Sequence, residues 1–323
     1  MYNKFFGITR NPFEISPDPY FLLPTPRHKE ALASIYYGVS RRKGFVVLTG
    51  EVGTGKTLMV RCLFELLKGQ QVLFANIFNP RLSPREFLTS ICYELGVKPT
   101  DATKGNLLWD LYRFLVAQHR KGVTTVLVVD EAQQLPAQVL EEIRLLTNLE
   151  TSQEKLLQIV LVGQPELDLK LDSPELRQLK QRISVRCRLE PMQEEETRNY
   201  VYNRLRLAGA AAHAETIFPD ETIAEVFRYS RGIPRLINTI CDQSLVAAFA
   251  RQVPSVDPKI VEEIALNFRL QVVEGQQIAG DLPLLEDNRS AAGKLLQIVE
   301  SLERAAGGNG PRPVPRPVTT KPI

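Results

Sequence analysis

Gly50-Glu51-Val52-Gly53-Thr54-Gly55-Lys56-Thr57 is the stretch of sequence on which the fold depends, here called the phosphate loop. The apolar run at 45–49 precedes it and predicts a buried strand, and the helical pattern at 58–68 follows it. A Gly-x-x-x-x-Gly-Lys-Thr pattern between a strand and a helix is typical of a phosphate-binding site, because loop amides and the positive helix end converge on phosphate oxygens. The sequence therefore predicts a parallel α/β architecture with an anion site at a strand end.

Individual residues of the phosphate loop have predicted tasks. Gly53 and Gly55 let the backbone approach the phosphates, Lys56 is placed to reach the β and γ phosphates, and the Thr57 hydroxyl is placed to bind Mg²⁺. The predicted ligands are thus ATP and Mg²⁺. The residues expected to contact the nucleotide are Gly50, Glu51, Val52, Gly53, Thr54, Gly55, Lys56, Thr57 and Leu58.

Two adjacent carboxylates, Asp130 and Glu131, lie at the end of a later apolar strand pattern, at 123–130. Asp130 and Glu131 are costly to place at the end of a buried strand unless a cation accompanies them. We expect Asp130 to hold Mg²⁺ through its water shell and Glu131 to act as the general base that polarises the attacking water.

Three further polar residues are candidates for the same chemistry. Gln164 follows the apolar strand at 156–162, at the carboxyl end where open α/β sheets bind ligands. It is interpreted either as a γ-phosphate sensor or as a solvent-facing turn residue. Arg182, before the last strand pattern at 183–189, and Arg235, in Gly232-Ile233-Pro234-Arg235, either neutralise charge on the transferred phosphoryl group or are ordinary surface arginines.

The order of the patterns predicts a parallel sheet covered by helices, followed by a small all-helical lid domain. Strand patterns lie at 45–49, 71–76, 123–130, 156–162 and 183–189, with helical patterns at 28–39, 58–68, 84–95, 107–118, 136–149 and 174–181; beyond Pro191 only helical patterns follow, at 194–208, 220–230, 234–251 and 258–267. The proline-rich and aromatic segment at 11–30 is expected to be extended. The predicted divisions are an N-terminal strap at 1–29, a nucleotide-binding domain at 30–190, the lid at 191–270, and a linker, short helix and disordered Pro/Arg tail at 271–323.

Composition limits the classes of protein. The 323 residues are 44% hydrophobic and 24% charged, which is typical of a soluble globular protein. A formal net charge of +3 is too small to predict nucleic-acid binding by itself. The four cysteines form no Cys-x-x-Cys pair and are interpreted as buried thiols. The three histidines, His28, His119 and His213, lack metal-ligand spacing and are interpreted as ordinary residues. With no secretory signal pattern or membrane-length apolar run, the expected location is cytoplasmic.

Taken together, these motifs resemble those of AAA+ ATPases, a resemblance that covers residues 30–268. The N-terminal residues narrow it to the secretion-ATPase branch typified by general secretion pathway protein A, whose relatives serve pilus biogenesis and exopolysaccharide export. The residues that carry this narrower resemblance are Tyr2, Phe5, Phe6, Gly7, Asn11, Pro12, Phe13, Pro17, Asp18, Pro19, His28, Glu30, Ala31, Leu32, Lys43, Gly44 and Phe45.

The resemblance implies roles that the residues alone do not establish. It implies Gln164 as sensor 1, Arg235 as sensor 2 within the same chain, and Arg182 as an arginine finger that reaches a neighbouring subunit, with Arg177 as the backup finger. A finger acting between subunits implies a homo-oligomeric ring or helical assembly. The implied protein partners belong to a secretion or export apparatus, which could place the chain at the inner membrane through a partner.

Three functional hypotheses follow. The leading one is an ATP-hydrolysing assembly or regulatory motor whose lid moves with the nucleotide state. The second is a DNA-bound ATPase regulator of the transposition type, supported by the basic residues Arg41, Arg42 and Lys43 and by the tail. The third is a nucleotide switch that hydrolyses poorly and uses the polyproline character of residues 307–323 to recruit a partner.

Overall fold

The computed structural model describes residues 2–14, 21, 25–78, 82–101 and 103–270. The predicted linker, short helix and Pro/Arg tail lie outside the described residues, as does most of the proline-rich part of the predicted strap.

The nucleotide-binding half is built on a five-stranded sheet with the strand order β2-β3-β4-β1-β5, in which all neighbouring strands are parallel. Parallel strands need helical crossovers, which cover both faces of the sheet. This confirms the predicted fold class. The strands are β1 (Phe45–Gly50), β2 (Val72–Ile77), β3 (Thr124–Val129), β4 (Leu157–Gly163) and β5 (Val185–Leu189).

Helices alternate with these strands, and five further helices form the lid. Those of the first half are α1 (Pro26–Ser40), α2 (Lys56–Leu67), α3 (Pro84–Glu94), α4 (Lys104–Arg120), α5 (Ala137–Leu146), α6 (Pro165–Leu171) and α7 (Arg177–Lys180). Those of the lid are α8 (Glu194–Leu207), α9 (Ala214–Ile217), α10 (Asp220–Ser230), α11 (Pro234–Ala250) and α12 (Pro258–Asn267).

Alternate strand residues supply the two cores on either side of the sheet, since successive side chains of a strand point to opposite faces. Phe45 and Val47 of β1 pack in the cluster with α3 to α6, whereas Val46 and Leu48 pack in the cluster with α1 and α2. The inner strands β1, β3 and β4 are therefore mostly apolar along their length, which is why they appear in the sequence as nearly uninterrupted apolar runs. The edge strand β5 instead alternates apolar residues with the exposed Arg186 and Arg188.

One predicted helix is wrong in its extent. The pattern at 174–181 is divided into a 3-10 turn at Pro174–Leu176 and the short helix α7, because Leu176 adopts φ −103° and ψ 14°, outside the α-helical region. The sequence analysis also missed α6. Its leucines occur at every second residue, which resembles a strand pattern, yet only Leu167 and Leu171 are buried and Leu169 is exposed.

The N-terminal segment belongs to the core of the lid. Its aromatic and aliphatic side chains are buried among the lid helices, and Phe13 lies against Phe218 with ring centroids 6.0 Å apart. Helix α1 begins at Pro26, so the expected extended conformation is wrong for residues 26–30. Proline is well tolerated at the first helical position, and the Thr25 hydroxyl accepts the N–H of His28 as an N-cap.

All four cysteines are free and buried, which confirms their interpretation as buried thiols. Burial raises the pKa of Cys62 to about 12, so its thiolate is scarce at neutral pH. Within the described residues, no helix has both the length and the apolar character that crossing a membrane requires.

Candidate functional site

The phosphate loop leaves the carboxyl end of β1, which lies between β4 and β5. Gly53 and Gly55 adopt φ +85° and +98°, a region that side chains with a Cβ rarely occupy. Gly55 is the N-cap of α2 and has no side chain to cap it, so the amides of the first helical turn face the loop without a side-chain acceptor. An anion with several oxygens fits this cradle.

Lys56 is folded back into the loop. Its side chain is only 7% exposed, and Nζ donates hydrogen bonds to the carbonyl oxygens of Gly50 (2.8 Å) and Glu51 (2.9 Å). Burial lowers the pKa of Lys56, while the neighbouring carboxylates Glu131 and Asp130 oppose that shift. The ammonium group is thus held at the loop by carbonyl groups that a phosphate oxygen could replace.

Thr57 and Asp130 meet although they come from different strand ends. The Thr57 hydroxyl donates to Asp130 Oδ2 (3.3 Å), and Asp130 Oδ1 accepts the backbone N–H of Glu131 (2.8 Å). Burial raises the pKa of Asp130, whereas the hydrogen bond from the backbone N–H of Glu131 opposes that rise and the negative charge of Glu131 adds to it. A hydroxyl and a carboxylate beside a phosphate cradle form the hard oxygen donor set that Mg²⁺ prefers, so these residues fit the predicted ion.

Glu131 is held in a left-handed backbone conformation, with φ +52° and ψ +35°. Such a conformation is uncommon for a residue with a Cβ and persists where the surroundings determine it. Its Oε2 accepts hydrogen bonds from Gln133 Nε2 (2.7 Å) and from Gln164 Nε2 (3.1 Å). The structure therefore brings Glu131 and Gln164 together, because β3 and β4 are neighbours and end at the same edge.

Two residues near this edge were missed by the sequence analysis. Gln133 lies in the 3-10 turn after Glu131, and only its nearness in sequence to the carboxylate pair could have indicated it. His28 was interpreted as an ordinary residue, yet its Nε2 lies 3.3 Å from the carbonyl oxygen of Thr54 in the phosphate loop. Its Nδ1 lies 2.7 Å from Thr25 Oγ1, and burial lowers its pKa.

The lid contacts the phosphate loop through Arg235. Its backbone N–H donates to the carbonyl oxygen of Gly53 (3.2 Å), and a Cβ at Gly53 would lie 2.7 Å from that of Arg235. The exposed Arg235 side chain starts at the loop, in the first turn of α11. Gly232, two residues before α11 begins, packs directly against the backbone of Met192. A Cβ at this glycine would lie 1.8 Å from the Met192 carbonyl oxygen.

Arg182 and Arg177 are not brought to this site. Val185 of β5 pairs with Val46 near the beginning of β1, so Arg182 lies at the amino edge of the sheet, opposite the phosphate loop. It lies near Glu150, whose pKa is lowered mainly by its hydrogen bond to Lys155 and further by Arg182. Arg177 is an exposed residue of α7.

Comparison with known proteins agrees with this geometry. Residues 39–171 match the AAA domain family. General secretion pathway protein A of Aeromonas hydrophila is 49% identical over 253 residues, which are 78% of this chain and 45% of that protein. The ATP-dependent target DNA activator B of Escherichia phage Mu is 31% identical over 131 residues, which are 40% of this chain and 39% of that protein. The matched residues thus span less than half of the length of each of these curated relatives.

Solved structures share the fold at low identity. Cdc6p of Pyrobaculum aerophilum has a TM-score of 0.62 and 20% identity over 79% of this chain and 70% of that one. The Aeropyrum pernix ORC1 protein has a TM-score of 0.58 and 20% identity over 81% of this chain and 70% of that one. With its parallel sheet and phosphate loop, the chain has the P-loop NTPase fold of the AAA+ class, carries an AAA domain at residues 39–171, and is related to general secretion pathway protein A.

Proposed function

We propose that this protein binds ATP with Mg²⁺ and hydrolyses it to ADP and phosphate. The observation that carries the proposal is the meeting of Glu131 with Gln164 beside the Thr57–Asp130 pair, at the mouth of the phosphate loop. A carboxylate, an amide and a hard-cation donor set at one helix N-terminus suit in-line attack of water on a terminal phosphate.

Each residue has one task in this proposal. The amides of residues 50–58 and Lys56 bind the triphosphate, while Glu131 accepts a proton from the attacking water and Gln164 orients that water or the γ phosphate. Thr57 and Asp130 would hold Mg²⁺, which neutralises charge on the β and γ phosphates. Arg235 reports nucleotide occupancy to the lid through its contact with Gly53.

The test is Glu131→Gln, which keeps the shape of the side chain and removes its basicity. We expect ATP turnover to fall by about 100-fold or more, within the range for a lost general base, while binding of Mg²⁺-ATP persists. The exposed Glu221→Gln in the lid is the matched control and retains full turnover. Unchanged turnover in Glu131→Gln would overturn the proposal.

The proposed setting is that of an assembly or regulatory motor of a secretion, pilus or export system, working as a homo-oligomer. The similarity to general secretion pathway protein A over 78% of the chain supports this setting. The lid, residues 191–270, moves with the nucleotide state because Arg235 and Gly53 join it to the loop. The position of Arg182 at the sheet edge opposite its own loop supports a role of this arginine in a neighbouring subunit.

A basic face at the amino edge of the sheet favours one alternative, the DNA-bound regulator. The face consists of Arg41, Lys43, Arg120 and Lys121, all exposed and, within the described ranges, without a carboxylate partner. Arg42 links the two loops that carry this basic face. Its side chain donates to the Gly122 carbonyl oxygen (3.4 Å) and forms an ion pair with Glu154. A relative named for target DNA activation supports this alternative.

Binding of duplex DNA at several salt concentrations tests the alternative. If the face contacts phosphates, Lys43→Glu weakens binding and reduces the salt slope by about one or more, whereas the same change at the exposed Lys259 of the lid has little effect. Equal effects of the two variants, or no salt-dependent binding by the wild type, would eliminate DNA as the partner of this face.

A further inference from the structure

Gln133 connects the ends of β3 and β4 through both atoms of its side-chain amide. Its Nε2 donates to Glu131 Oε2 (2.7 Å), and its Oε1 accepts the backbone N–H of Gln164 (3.1 Å). The residue lies in the 3-10 turn Ala132–Gln134, directly after the left-handed Glu131. One amide is thus shared between the proposed base and the residue proposed to sense the phosphate.

The surroundings of Gln133 fix this amide in place. A Cβ on Gly163, the last residue of β4, would lie 2.9 Å from Gln133 Oε1, so the glycine leaves room for the oxygen. Lys170 of α6 donates to the backbone carbonyl oxygen of Gln133 (3.0 Å) and to that of Leu135. Two separate segments, the end of β4 and helix α6, therefore contact the turn, and the side chain has a defined partner for its donor and for its acceptor.

The two carboxylate oxygens of Glu131 differ in the number of hydrogen bonds that they accept. Oε2 accepts both amide donors, whereas Oε1 receives no hydrogen bond from the described part of the chain. The charged neighbours of the Glu131 carboxylate include Asp130, the preceding residue, and Lys56 of the phosphate loop. A carboxylate held by one oxygen presents the other in a fixed direction, which is what proton abstraction from a water requires.

We propose that Gln133 is a positioning residue that holds Oε2 of Glu131, so that Oε1 faces the attacking water, and that ties this orientation to Gln164. The inference rests on the proposed ATP hydrolysis. Gln133 does not contact the phosphate loop residues through any hydrogen bond of the described chain, so its contribution belongs to the chemical step and not to nucleotide affinity.

The experiment compares Gln133→Met with Gln138→Met by steady-state ATP turnover and by binding of Mg²⁺-ATP. Methionine has about the length of glutamine and lacks the amide, and Gln138 is an exposed residue of α5. For Gln133→Met we expect kcat to fall by about 10- to 100-fold, the range for the loss of a side chain that orients a functional group, with KM and binding unchanged. Gln138→Met retains the wild-type kcat.

A double variant separates positioning from general damage. If Gln133 acts through Glu131, adding Gln133→Met to Glu131→Gln causes no further fall in residual single-turnover hydrolysis. An additional fall, a weaker binding of Mg²⁺-ATP, or a rise of kcat in Gln133→Met each overturn the proposal. Should Gln133→Met unfold, Gln133→Ala removes both the donor and the acceptor with a smaller side chain, and the same loss of kcat is expected.

The outcome distinguishes the two proposals. If the wild type hydrolyses ATP and Glu131→Gln does not, whereas Gln133→Met keeps kcat, only the role of Gln133 fails. If the wild type binds ATP and does not hydrolyse it under any of these conditions, the proposed function fails first and the inference about Gln133 fails with it.

Discussion

At the scale of single residues, the site depends on buried polar groups that have hydrogen-bond partners. His28 joins the N-terminus of α1 to the phosphate loop, with Thr25 on one ring nitrogen and the Thr54 carbonyl oxygen on the other. Because Thr25 Oγ1 accepts the backbone N–H of His28, its own proton is available to Nδ1, which leaves Nε2–H to donate to Thr54. The neutral ring suits both bonds, in agreement with the lowered pKa of His28.

His28 should make folding stability depend on pH. Since its pKa in the folded protein lies below the ordinary value of 6.5, the unfolded chain binds more protons below that pH. Its contribution is complete above pH 6.5 and is lost as the pH falls from 6.5 towards the folded pKa, at no more than about 1.4 kcal/mol per pH unit for one proton. Urea unfolding at pH 7.5 and 5.5 should show a smaller loss in His28→Gln than in the wild type.

The exposed His213→Gln is the matched control for this pH dependence and should behave as the wild type does. An equal loss of stability in His28→Gln and in the wild type between the two pH values would show that His28 does not carry the pH dependence.

At the scale of elements, the turn between α10 and α11 joins the lid to the end of β5. Gly232 adopts φ +72°, its carbonyl oxygen accepts the N–H of Met192 (2.9 Å), and a Cβ would overlap the Met192 backbone. The following Pro234 begins α11 and places Arg235 beside Gly53. The Gly-Ile-Pro-Arg signature therefore joins the lid to the end of β5 through backbone contacts and also places Arg235 beside the phosphate loop.

Gly232→Ala should destabilise the protein by about 2 kcal/mol or more, because the left-handed strain of about 1 kcal/mol is joined by a steric overlap. Gly96→Ala is the matched control, since Gly96 has φ +69° and a Cβ added there would meet nothing within 4 Å. Denaturant unfolding should give a loss of about 1 kcal/mol for the control. Equal losses in the two variants would mean that the Met192 backbone moves aside freely.

At the scale of the whole molecule, the phosphate loop and Arg182 lie at opposite edges of one sheet. If two copies associate head to tail, a residue at one sheet edge of the first copy lies near the opposite edge of the second copy. Such an interface is heterologous, and repeating it gives either a closed ring or an open helix. The N-terminal aromatics are buried in the core of the lid, and His28 of α1 contacts the phosphate loop.

Mixing inactive subunits should test the arrangement between copies. Glu131→Gln lacks the proposed base and Arg182→Ala lacks the proposed finger, so each variant alone should be inactive. A random equal mixture should recover about a quarter of wild-type turnover, because an intact site then forms wherever the two variants meet in the productive order. In the control mixture of Glu131→Gln with Lys56→Ala, both defects lie in the site of one chain, and no recovery is expected. No recovery in the first mixture would rule out a trans role for Arg182.

Much of the fold follows from local pattern. The apolar runs, their alternation with amphipathic helices, and the glycine spacing of residues 50–57 predicted the parallel sheet, its lid and the phosphate cradle, because strand burial and helix periodicity determine which residue types occur next to one another in the chain. Thr57 and Asp130, each predicted to hold Mg²⁺, follow strands of one sheet and lie within hydrogen-bond distance of each other.

The phosphate loop and its carboxylate partners were thus determined by the sequence itself, since each depends on residues adjacent in the chain. Only the tertiary structure decided which side chains complete them. Gln133 meets Gln164 because β3 and β4 are neighbours, and His28 meets Thr54 because α1 packs beside α2. Strand order and helix packing arise from contacts distant in sequence, and no periodicity or spacing encodes them.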